Sequence, residues 1–216
     1  MRLYIIRHGQ TAWNAANLAQ GHTDIPLDEL GQMQSDAVAL VFKTVQLENQ
    51  PRVWSSDLVR CKATALAIAA NIGCSAAFDK QLRERAYGDW EGLSFQEIRD
   101  AASEQQEVLG VNPFDVTAPN GESIRDTWAR LEPVSRSLFE CSEDAVIVTH
   151  GGSSALLLSQ LLHGSVSTSR SLRFNNCSIT ELHRRPDGFF QLDRYNDVRH
   201  LAGLPSLAGD LSGARS

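Results

Sequence analysis

Residues 3–14 read Leu3-Tyr4-Ile5-Ile6-Arg7-His8-Gly9-Gln10-Thr11-Ala12-Trp13-Asn14, and their order decides the fold. Leu3 to Ile6 is an apolar run of strand type that breaks off at Arg7-His8-Gly9. A strand buried on both faces reads as such a run, and the carboxyl end of a parallel strand is where α/β proteins place their ligands. Arg7 brings a permanent cation with a planar fork of donors. His8 can act as a nucleophile at neutral pH, and Gly9 lets the backbone turn close to a ligand. Together they point to an anion site that carries a nucleophile.

The pattern recurs along the chain. Ala145-Val146-Ile147-Val148-Thr149 is a second apolar strand, ending in His150-Gly151-Gly152. A third, Arg52-Val53-Trp54, runs into Ser55-Ser56-Asp57-Leu58-Val59-Arg60. There Ser56 or Asp57 is expected to cap a helix and Arg60 to lie in its first turn, where free N–H groups and the helix dipole favour an anion. Three strand ends thus deliver two histidines and two arginines.

Helical spacing appears at Leu30, Met33, Ala37, Leu40 and Val41, and again at Leu58, Cys61, Ala65, Ile68 and Ile72, the latter helix closing at Gly73. A short strand over 75–78, a charged loop over 79–92, a helix over 94–109 and a loop over 111–121 follow. Ile124, Trp128, Leu131, Val134 and Leu138 mark a long helix with an expected kink at Pro133. A buried helix over 153–163 precedes a hairpin, Ser178–His183 and Phe189–Tyr195 around Pro186-Asp187-Gly188. Strands alternating with helices predict a three-layer α/β fold: a mostly parallel sheet, helices on both faces and an antiparallel edge. One domain is expected over 1–201, with a small helical cap inserted at about 84–143 and a mobile tail over 202–216.

Composition narrows the function classes. The apolar fraction is 42% and the mean hydropathy −0.24, ordinary values for a globular domain. No apolar run reaches the ~20 residues a membrane span needs. Met1-Arg2 leads directly into the first strand, leaving no room for a secretory signal, so a cytoplasmic protein is expected. A formal net charge of −6 argues against nucleic acid as partner but not against a phosphate, which needs only a few converging cations. The four cysteines form no C-x-x-C pair and read as reduced, mostly buried thiols.

RHGQTAWN (7–14), SSDLVRCKATA (55–65), LRERAYGDWEG (82–92) and VTHGG (148–152), in this order, resemble the histidine phosphatase superfamily in its phosphoglycerate mutase-like branch; the resemblance covers roughly residues 3–201. It implies attack by His8 on phosphorus, with Arg7, Arg60 and His150 holding the phosphoryl oxygens, and a phosphohistidine that water then hydrolyses. Such a nucleophile must be a neutral imidazole whose other nitrogen keeps its proton on a fixed acceptor. The family pattern selects Glu84 as the acid that protonates the leaving group. Asp89 and Glu91 are the other candidates, or braces for their loop. Asn14, Gln20 and Gly21 match the stretch that lines the family's phosphate pocket, and Gly151 follows the second histidine. Arginines and a histidine in place of metal ions imply no metal and no cofactor. The family's mutases carry an arginine pair in the cap, whereas here no arginine or lysine lies between Arg99 and Arg125, and the chain is shorter than a typical mutase. A phosphatase of a small phosphorylated metabolite is therefore expected, before a mutase or a non-catalytic phosphate binder. Cap residues Asn112, Phe114 and Trp128 are expected to offer contacts to an apolar or ring portion of the substrate. The sequence leaves the oligomeric state open, a homodimer included.

Overall fold

The computed structural model describes residues 1–48 and 51–205; most of the stretch read as a tail, from 206 on, lies outside them. Six strands form one sheet: β1 (Arg2–Arg7), β2 (Arg52–Ser55), β3 (Ala76–Phe78), β4 (Ala145–Thr149), β5 (Ile179–Arg184) and β6 (Phe190–Asp197). Their order is β3-β2-β4-β1-β5-β6. The first four are parallel, while β5 and β6 run antiparallel as the hairpin at one edge.

Alternation along the strands divides the core. In β1, Leu3 and Ile5 face one side, with Ala145 and Ile147 of β4, and pack with α5 (Ile124–Glu140) and α6 (Gly151–Leu161). Tyr4 and Ile6 face the other side, with Val146 and Val148, and pack with α2 (Glu29–Thr44), which follows the short α1 (Ala12–Ala15), and with α3 (Val59–Ile72). The period of two along a strand thus makes three layers from one run of apolar residues. The pairing Arg7↔Thr149 sets the ends of β1 and β4 side by side, so His8 and His150 leave the sheet as neighbours.

Several expectations meet a different arrangement. The inward face of α2 is Gly31, Gln34, Ser35, Val38, Ala39 and Phe42, about one residue out of phase with the apolar spacing, and Leu40 is 60% exposed. Polar work displaces that face: Gln34 Oε1 accepts from Gln10 N at 2.9 Å, and Ser35 Oγ bonds Thr64 Oγ1 at 2.6 Å. The cap residue of α3 is Leu58, without a side-chain bond. Asp24 takes the Val59 N–H at 2.7 Å from a distant loop, and Asp57 instead receives Arg83 through two bonds of 2.6 Å.

Of the stretch 84–143, α5 belongs to the sheet layer, with Leu131, Val134 and Leu138 in the core, and it passes through Pro133 as one helix. α4 (Phe95–Leu109) has Ile98 as its one buried residue. Trp128 also packs against the core cluster, which turns it from a cap contact into a packing residue.

Candidate active site

The site lies at the carboxyl ends of β1, β4 and β2. His8 is buried, and its Nδ1 sits 2.7 Å from Gly9 O. A carbonyl only accepts, so Nδ1 carries the proton and Nε2 keeps the lone pair. Among the described residues no protein group takes Nε2. Burial first, then the Arg60 and Arg7 guanidiniums, hold the imidazole's proton affinity well below its ordinary value of 6.5. The contact with Gly9 O orients the ring, and the burial and the two guanidiniums favour its neutral form.

The loop after His8 owes its course to close backbone packing. A Cβ on Gly9 would lie 2.3 Å from Gly31 O, and one on Gly31 would lie 1.9 Å from Gln10 O. Only glycines allow α2 to press against this turn. Gly9 N donates to Thr64 Oγ1 at 3.2 Å. Asn176, fully buried, donates from Nδ2 to His8 O at 2.8 Å and reaches Asn14 Oδ1 at 3.3 Å.

The ring of His150 lies edge-on to that of His8, centroids 5.1 Å apart. Arg60 Nε donates to His150 Nδ1 at 3.3 Å, which places the ring proton on Nε2, 2.9 Å from Ser56 Oγ. The Cys61 sulfur lies 3.4 Å from the same Nε2. Burial, then Arg60, His8, Arg7 and His22, push His150 well below 6.5 as well.

Arg60, 1% exposed, comes from the first turn of α3 and aims its fork at the 20–23 loop: NH2 to Gly21 O at 2.7 Å and NH1 to Thr23 O at 2.8 Å. Arg7 NH1 donates to Phe174 O at 2.7 Å. Gly151 lies against its guanidinium, where a Cβ would sit 3.5 Å from Nε.

Glu84 is carried by a segment held from three sides. Arg130 of α5 donates to the carbonyls of Gln81, Arg83 and Glu84, Thr149 Oγ1 to Leu82 O, and Ser153 Oγ to Arg83 O. Its carboxylate accepts from Gly152 N at 2.9 Å and Ser153 N at 3.0 Å, the free N–H groups at the start of α6, and from Arg85 N at 3.0 Å. A Cβ on Gly152 would lie 2.6 Å from Glu84 Oε1, so a glycine there admits the carboxylate.

The other expected residues take different places. Asn14 Oδ1 accepts from Thr11 N and Thr11 Oγ1, closing a capping box on α1. That is the turn-forming role. Gln20 is 7% exposed, and its buried Oε1 has no partner among the described residues. Glu91 braces, accepting from His22 N, Thr23 N, Thr23 Oγ1 and Tyr87 N. Asp89 accepts from Asn120 Nδ2 at the surface. Asn112 caps the turn to Phe114, whose ring lies under Arg170. The described residues include no group of three or more His, Cys, Asp or Glu arranged to hold a metal, and no helix long and apolar enough to cross a membrane. All four cysteines are free, and three of them are buried.

Sequence reasoning missed Ser56, Thr64, Asn176 and Arg130. Ser56 lies inside SSDLVRCKATA, where the sequence predicts only a helix cap. Thr64, Asn176 and Arg130 act on backbone groups distant in sequence, and no local pattern marks that.

The family model of the histidine phosphatase superfamily (branch 1) matches residues 3–198. A probable phosphoglycerate mutase, GpmB, of Salmonella choleraesuis (strain SC-B67) is 30% identical over 207 residues, covering 93% of this chain and 95% of the relative. The mycobacterial glucosyl-3-phosphoglycerate phosphatase, solved with VO3, has a TM-score of 0.77 and 32% identity, over 91% of this chain and 99% of that one. A phosphoserine phosphatase from Entamoeba histolytica, solved with 3-phosphoglyceric acid, has a TM-score of 0.77 and 27% identity, over 93% and 98%.

Proposed function

From a chain that belongs to branch 1 of the histidine phosphatase superfamily, we propose a phosphatase that hydrolyses a small phosphomonoester through a phosphohistidine on His8. The observation that carries the reading is the His8 ring. Its Nδ1–H is fixed on Gly9 O, its Nε2 keeps its lone pair, and two arginines and a second histidine surround it. Solved structures at 32% and 27% identity are named phosphatases. The curated relatives at 30–31% identity are named probable phosphoglycerate mutases, which keeps the mutase as the second reading. The absence of any arginine or lysine between Arg99 and Arg125 favours hydrolysis.

In the first step the Nε2 lone pair attacks phosphorus and the bond to the leaving oxygen breaks. Its electron pair goes to that oxygen, which takes a proton from Glu84. In the second step water attacks phosphorus, the P–N bond returns its pair to His8, and Glu84 takes the water's proton. Arg7 and Arg60 balance charge on the equatorial oxygens, the main demand of phosphoryl transfer. His150 joins them once the phosphate's charge offsets that of Arg60. The imidazolium then becomes favourable, Nδ1 gains a proton to donate, and Arg60 Nε turns to the ligand. These groups stand where metal ions stand in other phosphoryl transferases, so turnover is expected to persist in chelator.

The test is a phosphate-release screen over phosphorylated metabolites with chelator present, followed by rapid quench. An acid-labile, base-stable label on wild type, absent from His8→Ala, supports the reading. Full activity of His8→Ala, or activity lost to chelator and restored by magnesium or zinc, overturns it. Phosphoryl return to the substrate without net phosphate release selects the mutase.

A further inference from the structure

Glu91 stands apart from the reacting groups, yet it grips the loop that grips Arg60. Arg60 NH2 donates to the Gly21 carbonyl at 2.7 Å, and the N–H of the same peptide group, His22 N, donates to Glu91 Oε1 at 2.8 Å. One peptide unit therefore lies between a buried guanidinium and a carboxylate, its dipole aligned with both. The next residue repeats the grip. Arg60 NH1 donates to Thr23 O at 2.8 Å, while Thr23 donates from N, at 2.9 Å, and from Oγ1 to Glu91 Oε2. Tyr87 N adds a fourth donor at 3.2 Å.

The glycine at the junction fits this account and no looser one. Gly21 has φ +50, and a Cβ on it would lie 2.0 Å from Glu91 Oε1. Any side chain there would drive the carboxylate off the peptide. Burial works against the charged form of Arg60, and Glu91 is among the groups whose charge opposes that cost.

We infer that Glu91 is a positioning residue that orients and charge-balances Arg60 for the phosphoryl group through the Gly21–His22 peptide. The inference rests on the reading of Arg60 as a phosphate-binding group. Groups in one polarised hydrogen-bond chain couple more strongly than separate contacts do. Glu91→Gln places an amide N–H₂ where one pair of donors now finds oxygen. The side chain keeps its size, but the grip is broken.

The experiment is a double-mutant cycle on Glu91→Gln and Arg60→Lys, read by inhibition with vanadate and by kcat/KM for phosphate release. Glu91→Gln alone is expected to weaken vanadate inhibition by about tenfold, the size of coupling found within one network, and to change it little in the Arg60→Lys background. The Arg60 Nε–Hε resonance is expected to shift in Glu91→Gln, which a merely structural brace would not require. Should Glu91→Gln fold poorly, Thr23→Val removes one donor to the carboxylate, and the same coupling is sought there in a milder form. Independent, multiplying losses or an unmoved Arg60 resonance overturn the inference while leaving the function standing. Vanadate inhibition unchanged by Arg60→Lys removes the phosphate-binding reading of Arg60 and the inference with it.

Discussion

In the proposed reaction His8 and Glu84 divide the chemistry, and their surroundings make separate predictions. Glu84 is held against the start of α6 by two backbone N–H groups, Gly152 and Ser153, and accepts a third from Arg85, so a purely structural role as a helix cap competes with proton delivery. Leaving-group dependence separates the two. If Glu84 delivers the proton, Glu84→Gln slows release from an alkyl phosphate by about 10²–10⁴, the usual range for a general acid. It slows p-nitrophenyl phosphate, whose leaving group needs little help, far less. Single-turnover measurements isolate phosphorylation of His8 from its hydrolysis. Equal losses on both substrates leave Glu84 as a cap. Ser56 carries a related prediction. Its hydroxyl, 2.9 Å from His150 Nε2, fixes the ring tautomer that leaves Nδ1 toward Arg60. Ser56→Ala is expected to lower kcat with the fold intact and to alter the pH profile on the acid side; an unchanged profile would show that Arg60 and Cys61 suffice to hold the ring.

At the scale of elements, glycines and strand ends decide what the site can be. Gly9 and Gly31 bring the β1–α1 turn and α2 into backbone contact. Gly9→Ala therefore forces a shift of the turn that carries His8, and a large loss of kcat, with a lower melting temperature, is expected. Wild-type kinetics would show that the turn yields at no cost. The same contact explains what could be read in advance. β1 and β4 were legible because burial on both faces makes their apolar runs continuous. The hairpin was legible because its turn chemistry is local, with Gly188 at φ +89. The phase of α2 was not, because Gln34 and Ser35 face inward to serve Gln10 and Thr64, partners that a hydrophobic pattern does not register. The cap of α3 was hidden for the same reason, since Asp24 reaches it from 35 positions away. Among candidate site residues, those at strand ends carry a local pattern. Asn176 and Arg130, which bond carbonyls far away in sequence, do not.

Over the whole molecule, the buried histidines make stability depend on pH. Burial, with the arginines, lowers the native proton affinity of His8 and His150 well below 6.5, and burial lowers that of His200. Below 6.5 the unfolded chain therefore binds protons that the native protein refuses. The stabilisation these groups give is complete above that value and is lost as pH falls toward their native affinities. Each adds to the slope of stability against pH in that window. The carboxylates act later: Arg83 holds Asp57 low and Arg199 holds Asp197 low, both from an ordinary value of 3.8, so their stabilisation is lost only below that range. Denaturant midpoints from about pH 7 to about pH 5 are thus expected to fall steeply in wild type. In a His8→Gln, His150→Gln variant they are expected to fall much less, with the carboxylate limb unchanged. Inorganic phosphate is expected to flatten the wild-type slope, because an anion between Arg7 and Arg60 offsets the charge that disfavours His150's imidazolium. A slope that neither the substitutions nor phosphate alters would place the acid sensitivity outside the site and separate its burial from the neutrality of the proposed nucleophile.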